Sequence, residues 1–113
     1  MKVVINGCYG SFSLSDEAFE LYLERKGLKF RKEKSEHFSL IGYEYYSENG
    51  FYLGDRDIER NDPVLVGVVE ELGEKANGRC ASLKVVEIPD GVEWTICEYD
   101  GNEWVAEAHR TWS

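Results

Sequence analysis

The sequence begins with a strand–loop–helix unit, and no other stretch constrains the fold as strongly. Residues 2–5 are predicted to form a short apolar strand, and a helix is predicted to begin after Ser15 and to end at Gly27. The hydroxyl of Ser15 can accept a hydrogen bond from an N–H group of the first helical turn, which makes this residue a suitable N-cap. Gly27 terminates the helix because glycine reaches left-handed dihedral angles at little cost. The chain is therefore predicted to start as a strand and a helix joined by a compact loop.

The loop at residues 6–14 is the first candidate binding site. It contains Asn6 and Gly10 together with two aromatic residues, Tyr9 and Phe12. Backbone N–H groups between a strand and a helix N-terminus can bind an anion such as a phosphate, and aromatic rings can face a nucleobase. The pattern matches neither the dinucleotide-binding glycine motif nor a P-loop. A tight turn whose rings complete the core is the alternative interpretation.

Length and composition indicate one globular domain. The chain has 113 residues, of which 42% are hydrophobic and 13% aromatic, and these proportions are typical of a folded protein. The apolar runs are only a few residues long, so neither a transmembrane span nor a signal peptide is expected. The sequence therefore predicts a single ligand-binding domain over residues 1–113, located in the cytoplasm and not at a membrane.

The cysteines and histidines do not indicate a metal centre or a cofactor. Cys8, Cys80 and Cys97 lack C-x-x-C spacing and are odd in number, which favours free thiols in a reducing compartment. His37 and His109 are far apart in sequence and are not paired with a cysteine, so zinc is not expected. The chain has no glycine–serine elbow, histidine zinc motif or phosphate-transfer signature, so we predict a binding protein that uses no cofactor. A Cys–His nucleophile is the alternative that the residues leave open.

Charge is distributed unevenly along the chain. The formal net charge of −9 argues against a general binder of nucleic-acid polymers, which would need a basic surface. Residues 25–34, here called the basic segment, nevertheless hold six cations: Arg25, Lys26, Lys29, Arg31, Lys32 and Lys34. A basic patch on an acidic protein is a candidate anion-binding surface, and a solvated face is the alternative.

The middle of the chain predicts aromatic strands and a second helix. Residues 38–46 and 51–53 are rich in aromatic and β-branched side chains and partly alternate, which is typical of strands. Asp62 followed by Pro63 resembles an N-cap and a first helical residue. A helix is therefore predicted from Pro63 to about Ala76, with a second apolar side beyond its main stripe.

The last part of the chain predicts a sheet. Three alternating stretches are expected to form an antiparallel meander: residues 82–88, 92–99 and 102–108. Asp100 and Gly101 are a hairpin turn signal, but a two-residue loop would place Glu98 opposite Glu103. Because like charges repel there, we predict a longer loop. The elements together predict an α+β domain, with an antiparallel sheet that carries both helices on one face and an oligomer surface on the other.

Residues 107–112 at the C-terminus form the second candidate site. Arg110 can bind a phosphate through two nitrogens, and Trp112 can stack on a base. His109 can donate to a phosphate or serve as a general base. A final strand whose indole packs onto the core is the alternative.

Arg56 and Arg60 lie in the most charged stretch, residues 55–63, and could join these sites. Their alternative interpretation is a solvated loop of alternating charge, which contributes little to stability. The candidate ligand-binding residues are Asn6, Tyr9, Gly10, Phe12, Arg25, Arg56, Arg60, His109, Arg110 and Trp112.

Several stretches together resemble a known protein family. They read MKVVIN and CYGSFSLS near the start, RNDP before the second helix, then LKVVEIP and finally EAHRTW. With them the chain resembles the first Thoeris anti-defence family, phage sponges that sequester cyclic ADP-ribose signals made by bacterial TIR proteins. The resemblance implies a homo-oligomer, a dimer or up to a hexamer, that binds a cyclic nucleotide at subunit interfaces without cleaving it. Some members of the family also bind cyclic oligonucleotides.

The resemblance also implies roles for individual residues. Arg110 and Arg25 would contact phosphates, whereas the loop from Tyr9 to Phe12 and the indole of Trp112 would contact a base or a ribose. Two other functions remain open from the residues themselves. One is an acidic phage inhibitor that binds a host defence protein, and the other is a small nucleotide-hydrolysing enzyme that uses His109 and Glu107.

Overall fold

The computed structural model describes residues 1–34 and 43–107. In chain order its α-helices and strands are β1 (Lys2–Asn6), α1 (Asp16–Arg25), β2 (Phe30–Lys34), β3 (Tyr43–Ser47), β4 (Tyr52–Leu53), α2 (Pro63–Leu72), β5 (Leu83–Glu87), β6 (Trp94–Tyr99) and β7 (Asn102–Glu107). Short 3-10 helices at Asp55–Asp57 and Gly73–Ala76 precede and follow α2. Helices combined with antiparallel strands confirm the predicted α+β class. No helix within the described ranges has the length and apolar character needed to cross a membrane.

Helix α1 begins and ends where the sequence predicts. The Ser15 hydroxyl accepts a hydrogen bond from the N–H of Ala18 at 3.1 Å, so Ser15 is the N-cap. After the helix, Gly27 has a φ of 72°, and the N–H of Leu28 donates to the carbonyl of Leu23. Both ends depend on hydrogen bonds between near neighbours in sequence, which is why a sequence pattern locates them.

Helix α2 starts at the predicted residue but is shorter than predicted. The carboxylate of Asp62 accepts from the N–H of Val64 at 2.8 Å and caps the helix. Gly73 has a φ of 58°, which ends the α-helix at Leu72, and the chain continues as a 3-10 turn to Ala76. The predicted end at about Ala76 is therefore correct for the α-helix and the 3-10 turn taken together, but it is wrong for the α-helix, which ends at Leu72.

The core lies between β1 and the two helices. Val4 of β1, Leu23 of α1 and Leu65 of α2 are at most 2% exposed. Burying a side chain of this size contributes about 1.5–3 kcal/mol relative to leaving it exposed. Val66 lies off the main apolar stripe of α2 and is also buried, which confirms that a second side of this helix is covered.

The strands form separate sheets, and the predicted C-terminal meander is wrong. Strand β5 pairs antiparallel with β1, while β6 pairs only with β7 among the described strands. Gly91, with a φ of 80°, lies in the turn that separates β5 from β6. The apolar side chains on both faces of β5 suit a strand that lies beside β1, of which only Lys2 is exposed. This long-range pairing removes β5 from the meander.

A third sheet, β2–β3–β4, is here called the arm, and its strand β2 carries Arg31, Lys32 and Lys34 of the basic segment. Tyr45 of β3 anchors it, because its buried ring packs edge-on against Phe19 and Phe30, with centroids 5.0 and 5.7 Å away. Pairing of β4 with β3 confirms that residues 51–53 return onto the aromatic strand. The observed β3 begins at Tyr43, and residues 38–42 of the predicted strand lie outside the described ranges.

Candidate functional site

Three loops meet at one end of β1 and enclose a cleft of about 350 Å³. They are the loop after β1, the 3-10 segment before α2 and the turn between β6 and β7. The residues that line this loop cleft are Gly10, Ser11, Phe12, Arg56, Arg60, Glu98, Gly101 and Glu103. Four of the predicted site residues therefore share one concave surface: Gly10, Phe12, Arg56 and Arg60.

Asn6 braces the loops from behind the cleft. It is fully buried, and its side-chain amide donates to the carbonyl oxygens of Cys8 at 3.0 Å and Gly101 at 2.8 Å. Its side-chain oxygen accepts from the N–H of Ser82 at 2.8 Å. Because its donors and its acceptor are used within the protein, Asn6 supports the cleft structurally and does not present its amide to a ligand.

Several backbone donors of the predicted phosphate loop are also used within the protein. The N–H groups of Gly7, Gly10 and Ser11 donate to the carbonyl oxygens of residues 82, 100 and 80 at 2.8, 3.0 and 3.2 Å. A Cβ atom at Gly10 would overlap the carbonyl oxygen of Cys80. Close approach of two backbones therefore accounts for the glycine, and these three N–H groups are not available to an anion.

Arg60 is fixed in place by Glu103. Its Nη1 and Nη2 atoms bind the two carboxylate oxygens at 2.6 and 2.9 Å, and its guanidinium carbon lies 3.6 Å from the centroid of the Phe12 ring. The same carboxylate accepts from the N–H of Asn6 at 2.8 Å. The side chains of Arg60 and Glu103 are only 22% and 9% exposed, so this bidentate pair is largely shielded from water. The pair forms a rigid wall of the loop cleft.

The β6–β7 hairpin resolves the like-charge conflict without lengthening its loop. Asp100 and Gly101 have φ values of 52° and 86°, as a two-residue hairpin turn requires, and Glu98 pairs opposite Glu103. The prediction of a longer loop is wrong because each carboxylate has its own partner. Glu98 accepts from the N–H of Gly101 at 2.9 Å, and Glu103 turns to Arg60.

Arg56 differs from Arg60 in its exposure to solvent and in its lack of an ion pair among the described residues. It is exposed, and within residues 1–34 and 43–107 it makes no ion pair. It lines the loop cleft and also a second, adjoining cleft of about 540 Å³. An uncompensated guanidinium in a concave surface is a ready partner for a phosphate.

The second cleft, here called the indole cleft, is lined by Arg56, Ile58, Glu59, Arg60, Asn61, Trp94 and Ile96. Trp94 was not predicted as a site residue. The alternation of residues 92–99 places Trp94 and Ile96 on one face, and only the folding of β6 against the segment before α2 brings that face beside Arg56.

The other predicted site residues lie elsewhere or outside the described ranges. Tyr9 is 70% exposed and lines neither cleft. Arg25, at the end of α1, binds Glu71 of α2 at 2.7 Å and lines neither cleft. His109, Arg110 and Trp112 fall in residues 108–113, which the structure does not describe.

The described residues contain no group of histidine, cysteine and carboxylate side chains that could hold a metal ion. Among the described residues, the two clefts offer a guanidinium without an ion pair, a stacked arginine–phenylalanine wall and an indole. They are also lined by three carboxylates: Glu98 and Glu103, which accept hydrogen bonds from the protein, and the exposed Glu59. Comparisons with protein-family models, with curated proteins and with solved structures found no match to this chain.

Proposed function

We propose that this protein binds and sequesters a phosphate-bearing cyclic nucleotide at the loop cleft, and that it does so without cleaving the ligand. The observation that carries the proposal is Arg56, an exposed guanidinium with no ion pair among the described residues, at the rim of a cleft walled by Arg60 and Phe12. A free cation beside a rigid wall provides both attraction and shape for an anionic ligand.

The two arginines of the cleft differ in their pairing, and this difference supports the proposed binding of an anionic ligand. Two of the five N–H donors of Arg60 bind Glu103, whose carboxylate compensates its charge, so this residue shapes the cleft. The charge of Arg56 remains available to a phosphate. An acidic protein with one local cationic site can bind a small anion while rejecting a nucleic-acid polymer, which would meet the repulsion of the whole surface.

Binding without turnover agrees with the state of the carboxylates in the cleft. Glu103 is held by Arg60 and by the N–H of Asn6, and Glu98 is held by the N–H of Gly101. A general base must reach the proton that it abstracts, and both of these carboxylates are directed at protein donors instead.

The resemblance to the first Thoeris anti-defence family narrows the ligand class. It favours a cyclic ADP-ribose isomer or a cyclic oligonucleotide, bound by a homo-oligomer in the cytoplasm of an infected bacterial host. In this proposal the protein lowers the concentration of an immune signal by stoichiometric binding.

A thermal-shift panel of cyclic ADP-ribose isomers and cyclic di- and trinucleotides tests the proposal, with chromatography of the ligand afterwards. We expect one or more ligands to raise the unfolding midpoint by mass action and to be recovered intact after denaturation. Arg56→Gln should lower the affinity at least about tenfold, because hydrogen bonds to charged groups contribute about 1.5–3 kcal/mol.

Arg31→Gln is the matched control, since it removes the same charge from an exposed arginine of the arm that is paired with Glu33 at 2.9 Å. It should leave the affinity unchanged. Recovery of degraded ligand, or the absence of a shift with every nucleotide, would contradict the proposal.

A protein-binding role has one specific observation in its favour. The arm exposes large rings at Tyr43, Phe51 and Tyr52, which are 46%, 71% and 65% exposed. Clusters of exposed aromatic side chains often mark protein interfaces. If no nucleotide binds, an inhibitor that docks on a host protein through the arm becomes the leading function, and Tyr52→Ala should then weaken capture of that protein.

A further inference from the structure

The loop cleft and the indole cleft are neighbours that share two lining residues, Arg56 and Arg60. We propose that one ligand occupies both clefts, with its phosphate at Arg56 and a second planar ring against Trp94. The ligand class is then a nucleotide with two ring-bearing halves joined through phosphate, in preference to a mononucleotide. This inference rests on the proposed function and deepens it.

The register of the hairpin places Trp94 on the correct side. Trp94 pairs opposite Glu107, Ile96 opposite Val105 and Glu98 opposite Glu103. Side chains two residues apart along a strand lie on the same face, so Trp94 and Ile96 share a face with Glu103. That face is the one from which Glu103 reaches Arg60. The indole is therefore presented to the same arginines that wall the loop cleft.

The indole cleft has the composition of a site for a planar ring. Trp94 and Ile96 are partly buried, and Ile58 beside them is 8% exposed, so together they form an apolar floor. Arg56 and the exposed carboxylate of Glu59 line the same cleft. An apolar floor with a cation at its edge complements a nucleobase attached to a phosphate, because the ring loses contact with water while the anion keeps a charged partner.

The shared lining residues and their charge point to one ligand across both clefts. Volumes of about 350 and 540 Å³ both lie within the range of about 300–1,000 Å³ that is usual for small-molecule sites. Arg56 is the one residue of the shared boundary whose charge is not compensated by another described residue, because Arg60 is held by Glu103. A phosphate bound at this boundary would leave its two substituents free to extend into opposite clefts.

Trp94→Leu and Trp104→Leu form a matched pair that tests the inference. Trp104 pairs opposite Cys97, on the other face of the same hairpin, and is 48% exposed. The dissociation constants of a cyclic dinucleotide and of AMP are measured by calorimetry for each variant. We expect Trp94→Leu to weaken the cyclic dinucleotide about tenfold, as loss of one base–aromatic stack does, and AMP less than about twofold. Trp104→Leu should change neither constant.

A third variant, Trp94→Phe, keeps a ring and should restore most of the affinity for the cyclic dinucleotide, which separates stacking from a general packing effect. The inference is overturned if Trp94→Leu binds like the wild type while Arg56→Gln does not bind; the proposed function then stands. It is also overturned if Trp94→Leu weakens AMP and the dinucleotide equally, or if it changes only the oligomeric state in light scattering. If the wild type binds neither ligand nor any other cyclic nucleotide, the proposed function fails as well.

Discussion

Two regions of this protein hold closely spaced cations, and they use them differently. In the basic segment, cations along the end of α1 and along β2 are paired with carboxylates of the same molecule: Arg25 with Glu71, Lys26 with Asp62, Lys29 with Glu48, Arg31 with Glu33 and Lys32 with Glu20. In the clefts, the only two arginines are Arg56, which has no ion pair within the described ranges, and Arg60, which is tied to Glu103.

The difference teaches that the number of cations in a stretch does not locate an anion site. The basic segment contains six cations, yet its charge is largely compensated by acidic neighbours that the fold brings alongside. The two cleft arginines lie in a stretch of mixed charge, which from sequence alone could be a solvated loop. Lys29 and Arg31 of the basic segment also line a concave surface, but both are paired with a glutamate. What distinguishes Arg56 is therefore the lack of an ion pair among the described residues, which is a property of the tertiary structure.

The largest effect should come from breaking the buried pair of the cleft. Glu103→Ala leaves the guanidinium of Arg60 and the N–H of Asn6 without their partner in a largely dry site. We expect a loss of about 3 kcal/mol in the free energy of unfolding, measured by urea denaturation. Glu98→Ala removes the carboxylate directly opposite, which is exposed, and should cost less than about 1 kcal/mol. Equal losses from the two variants would show that the cleft pair is no stronger than a surface contact.

A smaller loss is expected at Asp62, where the basic segment contributes to stability. Its carboxylate accepts from the N–H of Val64, the hydroxyl of Tyr22 and the ammonium of Lys26 at 2.8, 2.9 and 3.1 Å. Asp62→Ala should lower the free energy of unfolding by about 2 kcal/mol, because it removes a helix cap and a hydrogen-bond acceptor. Asp62→Asn, which keeps a capping oxygen, should lose less.

The same residue predicts a pH dependence. Partial burial opposes ionisation, but the hydrogen bonds from Val64, Tyr22 and Lys26 outweigh it and hold the pKa of Asp62 below its ordinary value of 3.8. A lowered pKa contributes stability that is fully present above 3.8 and is lost as the pH falls through the folded value. The difference between wild type and Asp62→Ala should therefore shrink below pH 3.8 in urea titrations. A constant difference down to pH 2, about two units lower, would contradict this assignment.

The smallest effect is expected from Arg25, which the resemblance implies as a phosphate contact. Its pair with Glu71 is exposed, with side chains 37% and 57% accessible, so Arg25→Gln should cost less than about 0.5 kcal/mol in stability. In the same titration that tests Arg56→Gln, we expect no change in nucleotide affinity. If Arg25→Gln lowered the affinity as much as Arg56→Gln does, the basic segment would be part of the binding site, and the proposed difference between the two regions would be wrong.

The starts of both helices, the end of α1 and the position of the last hairpin turn could be predicted from the sequence. Ser15, Gly27 and Asp62 act on donors and acceptors within a few residues, and Asp100–Gly101 adopts the dihedral angles that its residue types favour. Such features depend on short-range backbone geometry, so the chain carries them in any fold that contains the element.

The candidate site could be predicted only in part. Phe12, Arg56 and Arg60 were selected by residue type, and the structure brings them together. Three features could not be predicted, because each depends on contacts between residues far apart in the chain. They are the pairing of β5 with β1, the ion pair of Glu103 with Arg60 and the position of Trp94 beside Arg56.

Local sequence thus determined where both helices begin, where α1 ends and where the last hairpin turns. The tertiary structure decided which arginine keeps its charge available and which indole stands beside it. The physical reason is that capping and turn energies arise between near neighbours, whereas compensation of a charge and closure of a cleft depend on side chains that only the packed fold brings within a few ångströms of each other.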